Sequence, residues 1–172
     1  MPTPVYETTL GRATFALCVG AMIGGPLSIA TMLGAAILED GQIAEQWGAI
    51  AFFMASGTLV FAVCLVLLAT PLWLLLHGLG YRSWLTAASL GTSLGFFTSM
   101  FLYVAPHLFR AAGSSYSYGG SEGLIVDGNR ITDLGWRLYL SCSFGIALVC
   151  LVVGLVIWRI AYRRASTQAS LD

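Results

Sequence analysis

Apolar residues gather in four long runs, at about residues 13–38, 49–76, 84–105 and 134–160, with the polar residues lying between them and at the two ends. Each run meets the roughly 20 residues that a helix needs to cross the hydrocarbon core of a bilayer. The expected fold class is all-α: an integral membrane four-helix bundle, up-and-down, with a small extramembrane loop or hairpin between helices 3 and 4. The third run is the most informative, because it is crowded with small residues. Ala87, Gly91, Gly95 and Ser99 recur every fourth position and so share one helix face, where a neighbouring helix can approach closely. Thr86, Ser89 and Ser93 form a second, weakly polar face, a candidate polar path. Leu90, Leu94, Phe97 and Phe101 form a bulky stripe suited to lipid. The first run repeats the small stripe with Ala16, Gly20, Gly24 and Ser28, which predicts that the first and third helices pack on one another through these faces. Gly25-Pro26 near its middle predicts a kink.

The connections add detail. Residues 39–48 hold Glu39, Asp40 and Glu45 and no basic residue; the trio is read as a solvated loop before a cation site. Pro71, near the end of the second run, should bend it or loosen its last turns. His77 to Ser83 makes a tight, glycine-containing turn. The long hydrophilic segment from Pro106 to Thr132 places Asp127-Gly128-Asn129 between short apolar runs, the chemistry of a tight hairpin. Thr132 or Asp133 is positioned to cap the fourth helix, and Asp133 precedes Arg137 in the favourable i, i+4 order. The first run exceeds the usual signal-peptide core of about 7–15 residues, so it is read as a retained helix.

Composition agrees with the pattern. Of 172 residues, 58% are hydrophobic and 9% charged, and the mean hydropathy is +0.83, against a charged share of about 25% in soluble domains. A single transmembrane domain over residues 1–172 is expected. Eight basic and eight acidic residues cancel, which removes the basic patch that nucleic-acid binding requires. All eight basic residues are arginine, a usage that favours a GC-rich, bacterial genome. With both termini in the cytoplasm, Arg12, Arg82, Arg159, Arg163 and Arg164 lie inside and Arg110, Arg130 and Arg137 outside, which satisfies the positive-inside rule. Trp47 and Trp136 then mark the outer interface, and Trp73, Trp84 and Trp158 the inner one. The expected location is the bacterial inner (plasma) membrane.

Candidate chemistry is sparse. Residues 13–38, 46–81 and 138–158 contain no Asp, Glu, Lys or Arg, whereas ion-coupled transporters keep ionisable residues at depth. Cys18, Cys64, Cys142 and Cys150 all lie in apolar runs without a CxxC pair and are read as packing residues. His77 and His107 fall at opposite ends of the predicted bundle, too far apart to share a metal. Neither a nucleophile elbow, a phosphate loop nor a zinc or dinucleotide motif is present. No catalytic residue, metal or cofactor is therefore assigned. The leading expectation is a non-catalytic protein that acts through helix packing, as a homo-oligomer or an accessory subunit, with the bilayer and itself or another membrane protein as partners. A small channel or facilitator lined by Thr86, Ser89 and Ser93 is the alternative, and an intramembrane enzyme the third reading.

Overall fold

The computed structural model describes residues 6–40, 47–109, 117–120, 123–128 and 130–164. Helix α1 spans Leu10–Asp40. The second run forms α2 (Trp47–Cys64), a π-helical segment (Leu65–Ala69) and α3 (Thr70–Gly78) in direct succession. Helix α4 spans Trp84–Leu108 and α5 spans Asp133–Ala161. The chain is thus mostly helical, with four helical spans long and apolar enough to cross a membrane. The acidic loop residue Glu45, Arg110, Asn129 and the tail beyond Arg164 lie outside the described residues.

Local chemistry sets the ends and irregularities of these helices. Ser83, in extended conformation, accepts a hydrogen bond from the Thr86 N–H at 3.2 Å and starts α4. Thr132, and not Asp133, caps α5 by accepting from the Gly135 N–H at 3.1 Å. Asp133 then occupies the first turn, where the helix dipole favours a negative charge. Pro71 acts on the turn before it. Its ring opposes an ordinary α-helical carbonyl four residues back, and the backbone answers with the π segment, in which Thr70 N–H reaches Leu65 O. The Thr70 hydroxyl donates to the same carbonyl at 2.9 Å.

Helix α5 packs against α4 on one side and α1 on the other, and α1 also packs against α2. Helices α1 and α2 run antiparallel, since a Cβ added at Gly25 would approach the Thr58 backbone N at 2.7 Å and one added at Gly57 would reach Ile29. The same holds for α4 and α5, where Gly95 faces Cys150 and Met100 faces Ser143. The second span carries no buried residue along its most apolar window and approaches α4 around the π segment.

Two small sheets close the ends. Strands β2 (Tyr118–Gly120), β3 (Gly123–Asp127) and β4 (Arg130–Ile131) form an antiparallel meander over one end. Its β3–β4 hairpin turns at Gly128, where φ is +54°, with Asp127 opposite Arg130. At the other end β1 (Tyr6–Glu7) pairs antiparallel with β5 (Arg163–Arg164) and ties the two chain termini together. The sequence pattern contains no sign of this second sheet, which is only two residues deep.

Candidate functional site

The two small stripes predicted from sequence both find partners, but not each other. Gly20 lies against Ile157 and Val153 of α5: an added Cβ would come within 2.6 Å of Ile157 Cδ1. Gly24 lies against Phe61 of α2, and Ala16 is fully buried beside Ala161 and Tyr162. Gly95 and Ser99 are buried, and Gly95 meets Cys150 and Ala147 of α5. Gly91 meets the Cys150 backbone, and a Cβ on Gly154 would sit 2.7 Å from the Ala87 carbonyl oxygen. Helix α5 therefore stands between α1 and α4, which corrects the expected α1–α4 contact. The physical reason is that a four-residue stripe specifies a close neighbour without saying which, and α5, packed on both α1 and α4, takes both faces.

Helix α5 answers the two stripes with small residues of its own. Gly135, Ser143, Ala147 and Ala161 are buried, and Gly154 lies against the Ala87 carbonyl of α4. These positions escaped the sequence reading because Leu, Val and Ile dominate the fourth run. Their spacing of 135, 143, 147, 154 and 161 was the available signal.

A second correction concerns the outer side of α4. Leu90 and Leu94, expected to face lipid, are half-buried and line a half-open apolar cavity between the spans instead. Phe97 and Phe101 do point outward, at 69% and 57% exposed. Between them and Leu85 on that outer face lie Ser89 and Ser93, both exposed, with Thr86 half-buried at the edge. The Ser89 hydroxyl donates to Leu85 O at 2.5 Å, and Thr86 Oγ1 lies 2.9 Å from Ser83 Oγ. None of the three lines the cavity.

That cavity has a volume of about 380 Å³ and is walled by all four spans, among them Phe61, Leu65, Trp73, Leu94, Cys150 and Ile157. Its wall is almost wholly apolar; the polar side chains that reach it are Ser28, Ser56, Thr98 and Ser99, together with Cys64 and Cys150. Thr98 and Ser99 sit toward one end, and the Ser99 hydroxyl donates to Phe96 O at 3.0 Å. The Ser28 Oγ is buried without a hydrogen-bond partner among the described residues.

An aromatic–histidine cluster marks each end of the bundle. At the end holding the termini, His77 Nδ1 lies 2.7 Å from the Tyr162 hydroxyl. Trp73 packs on both rings, with centroids 5.5 Å from His77 and 6.1 Å from Tyr162. Trp158 Nε1 donates to Arg82 O at 3.1 Å, which fixes the α3–α4 turn to α5. Burial raises the Tyr162 pKa above the usual tyrosine value, opposed in part by a hydrogen bond from Trp73 and the Arg82 charge. At the sheet end, Tyr103 stacks on Tyr139 with centroids 4.9 Å apart. The Tyr139 hydroxyl bonds to that of Tyr118 and lies 3.5 Å from His107 Nε2, tying β2 to α4 and α5. The two histidines thus occupy opposite ends, each beside a tyrosine.

Among the described residues, no group of three or more His, Cys, Asp or Glu side chains is arranged to hold a metal ion. Comparison with known proteins leaves the geometry to speak alone: no family model matches the chain, and no match is found among curated proteins or solved structures.

Proposed function

We propose that this chain is an integral membrane protein of four spans that works through lateral helix contact, as a homo-oligomer or as an accessory subunit of a membrane complex. The observation that carries this reading is the exposed pair Ser89 and Ser93, one turn apart on the outer face of α4 and flanked by exposed Leu85 and Phe97. In hydrocarbon there is no hydrophobic force between helices, so association relies on close van der Waals contact and interhelical hydrogen bonds. A small, hydroxyl-bearing strip between bulky residues offers both: room for an approaching backbone, and hydroxyls able to accept a bond, that of Ser89 while donating to its own helix. The four apolar spans support embedding in a bilayer as an up-and-down bundle. The arginine excess at the end holding the termini supports a cytoplasmic placement for both, and the all-arginine usage a bacterial inner membrane.

The same outward placement bears on the channel alternative. Within one copy the interior is apolar, so a path lined by Thr86, Ser89 and Ser93 requires several copies arranged with these faces inward. Catalysis has less support, since the Ser and Cys side chains around the cavity have no hydrogen bond to either histidine among the described contacts.

Photo-crosslinking in native membranes tests the reading. A photoreactive residue at Ser89 is expected to give one discrete protein adduct, of twice the chain mass for self-association or of another defined mass for a subunit partner. The same residue at Val152, exposed on α5, should label lipid alone. Lipid-only labelling at both positions would reject the reading.

A further inference from the structure

The half-open apolar cavity runs along the bundle from Ala87 to Leu102 on α4, about 22 Å at a helical rise of about 1.5 Å per residue. A lipid chain reaches across half of a hydrocarbon core of about 30 Å. The cavity is therefore long enough for a whole chain, and its volume of about 380 Å³ falls within the ligand-pocket range of roughly 300–1,000 Å³. The cavity is only half enclosed, and the second span meets α4 closely only around the π segment, which leaves a chain a lateral way in from a bilayer. Left unfilled, such a void forfeits dispersion contacts along its whole wall.

The two ends of the cavity differ. At the end holding the termini its wall includes Trp73 and Ala161, and Trp73 packs on His77 and Tyr162. The Arg82 charge acts on both of those groups. Arg12, Arg159, Arg163 and Arg164 belong to the same end, against Glu7 opposite Arg163, so the net charge of the described residues there is positive. Interfacial tryptophan and arginine beside a chain-sized apolar slot match the two parts of an anionic lipid.

Resting on the reading of the chain as membrane-embedded, we propose that the cavity binds one acyl chain of an anionic phospholipid, with the headgroup seated at the basic end beside Trp73. The test uses full-length protein delipidated in detergent and then offered dioleoyl phosphatidylglycerol or dioleoyl phosphatidylcholine, with retained lipid counted by native mass spectrometry. Wild type should retain about one phosphatidylglycerol per chain and bind it about tenfold more tightly than phosphatidylcholine. Leu94→Trp, which fills the slot, should lose this retention at least tenfold, whereas Leu94→Ala, which enlarges it, should keep it. Equal retention of the two lipids would overturn the headgroup assignment. No retained lipid, or loss from both variants or from neither, would overturn the site. Requirement for detergent extraction is scored separately: a chain recovered without detergent fails the membrane reading, while a detergent-requiring chain that retains no lipid fails this inference alone.

Discussion

The α4–α5 crossing can be weighed with two alanines on the same helix. Gly154 and Gly145 both lie within α5, so replacing either by alanine brings the same gain in helix propensity, about 1 kcal/mol. Their surroundings differ. A Cβ at Gly145 would sit 3.8 Å from Thr31 Cβ, an ordinary contact, whereas at Gly154 it would sit 2.7 Å from the Ala87 carbonyl oxygen. That oxygen belongs to the backbone of α4 and cannot turn aside. Restoring an ordinary separation of about 3.4 Å requires the helices to part by roughly 0.7 Å, and a gap of about 0.5–1 Å already forfeits a quarter to a half of each contact energy. Because propensity cancels, the difference between the two variants reads the overpacking cost alone, about 1–3 kcal/mol. Gly145→Ala should match or exceed wild type in reversible unfolding from detergent micelles, and Gly154→Ala should fall below it. Equal stabilities, or a more stable Gly154→Ala, would refute the packing of α4 on α5.

Three further outcomes follow from separate parts of the structure. Gly128→Val should open the β3–β4 hairpin, because a β-branched residue at a φ of +54° is strained by about 1–3 kcal/mol, and proteolysis within the 106–132 segment of detergent-solubilised protein should accelerate while membrane insertion is unchanged. Tyr139→Phe removes the hydroxyl that joins Tyr118 to the bundle and should raise hydrogen exchange in β2 and β3, with a stability loss of about 0.5–1.5 kcal/mol; unchanged exchange would count against the link. Tyr162 has a raised pKa in the fold, so its contribution is fully present below the ordinary tyrosine value of 10.0 and is lost as pH rises through the folded value; Tyr162→Phe should therefore flatten the loss of stability above pH 10, and an unaltered alkaline profile would contradict it.

The long elements were legible because apolar length alone determines them: 49–76 reads as a spanning helix whatever its neighbours. So was the hairpin, since Asp127-Gly128 supplies turn chemistry within a few residues. Partnership was harder. The stripes of α1 and α4 announce that something packs closely, yet a four-residue period carries no identity for the partner. The tertiary packing of α5 on both helices, which is not local in sequence, supplies that information. Leu90 and Leu94 were misjudged for a related reason, because Leu is equally at home against lipid and against a cavity wall. The π segment is a consequence of Pro71 felt by its predecessors, and the β1–β5 pair joins residues more than 150 positions apart in sequence. The Tyr162–His77 contact joins residues 85 positions apart, so neither residue alone pointed to it.

The lateral-contact account is tested most directly by the mass of the particle that leaves the native membrane. Extracted with a nanodisc-forming polymer, wild type should run as a particle holding more protein than one 18.3 kDa chain. The double variant Ser89→Leu with Ser93→Leu, which fills the exposed strip on α4 without touching the cavity or the α5 interface, should release single chains. A wild-type particle containing one chain and no partner, or a double variant whose protein mass equals that of wild type, would contradict the account.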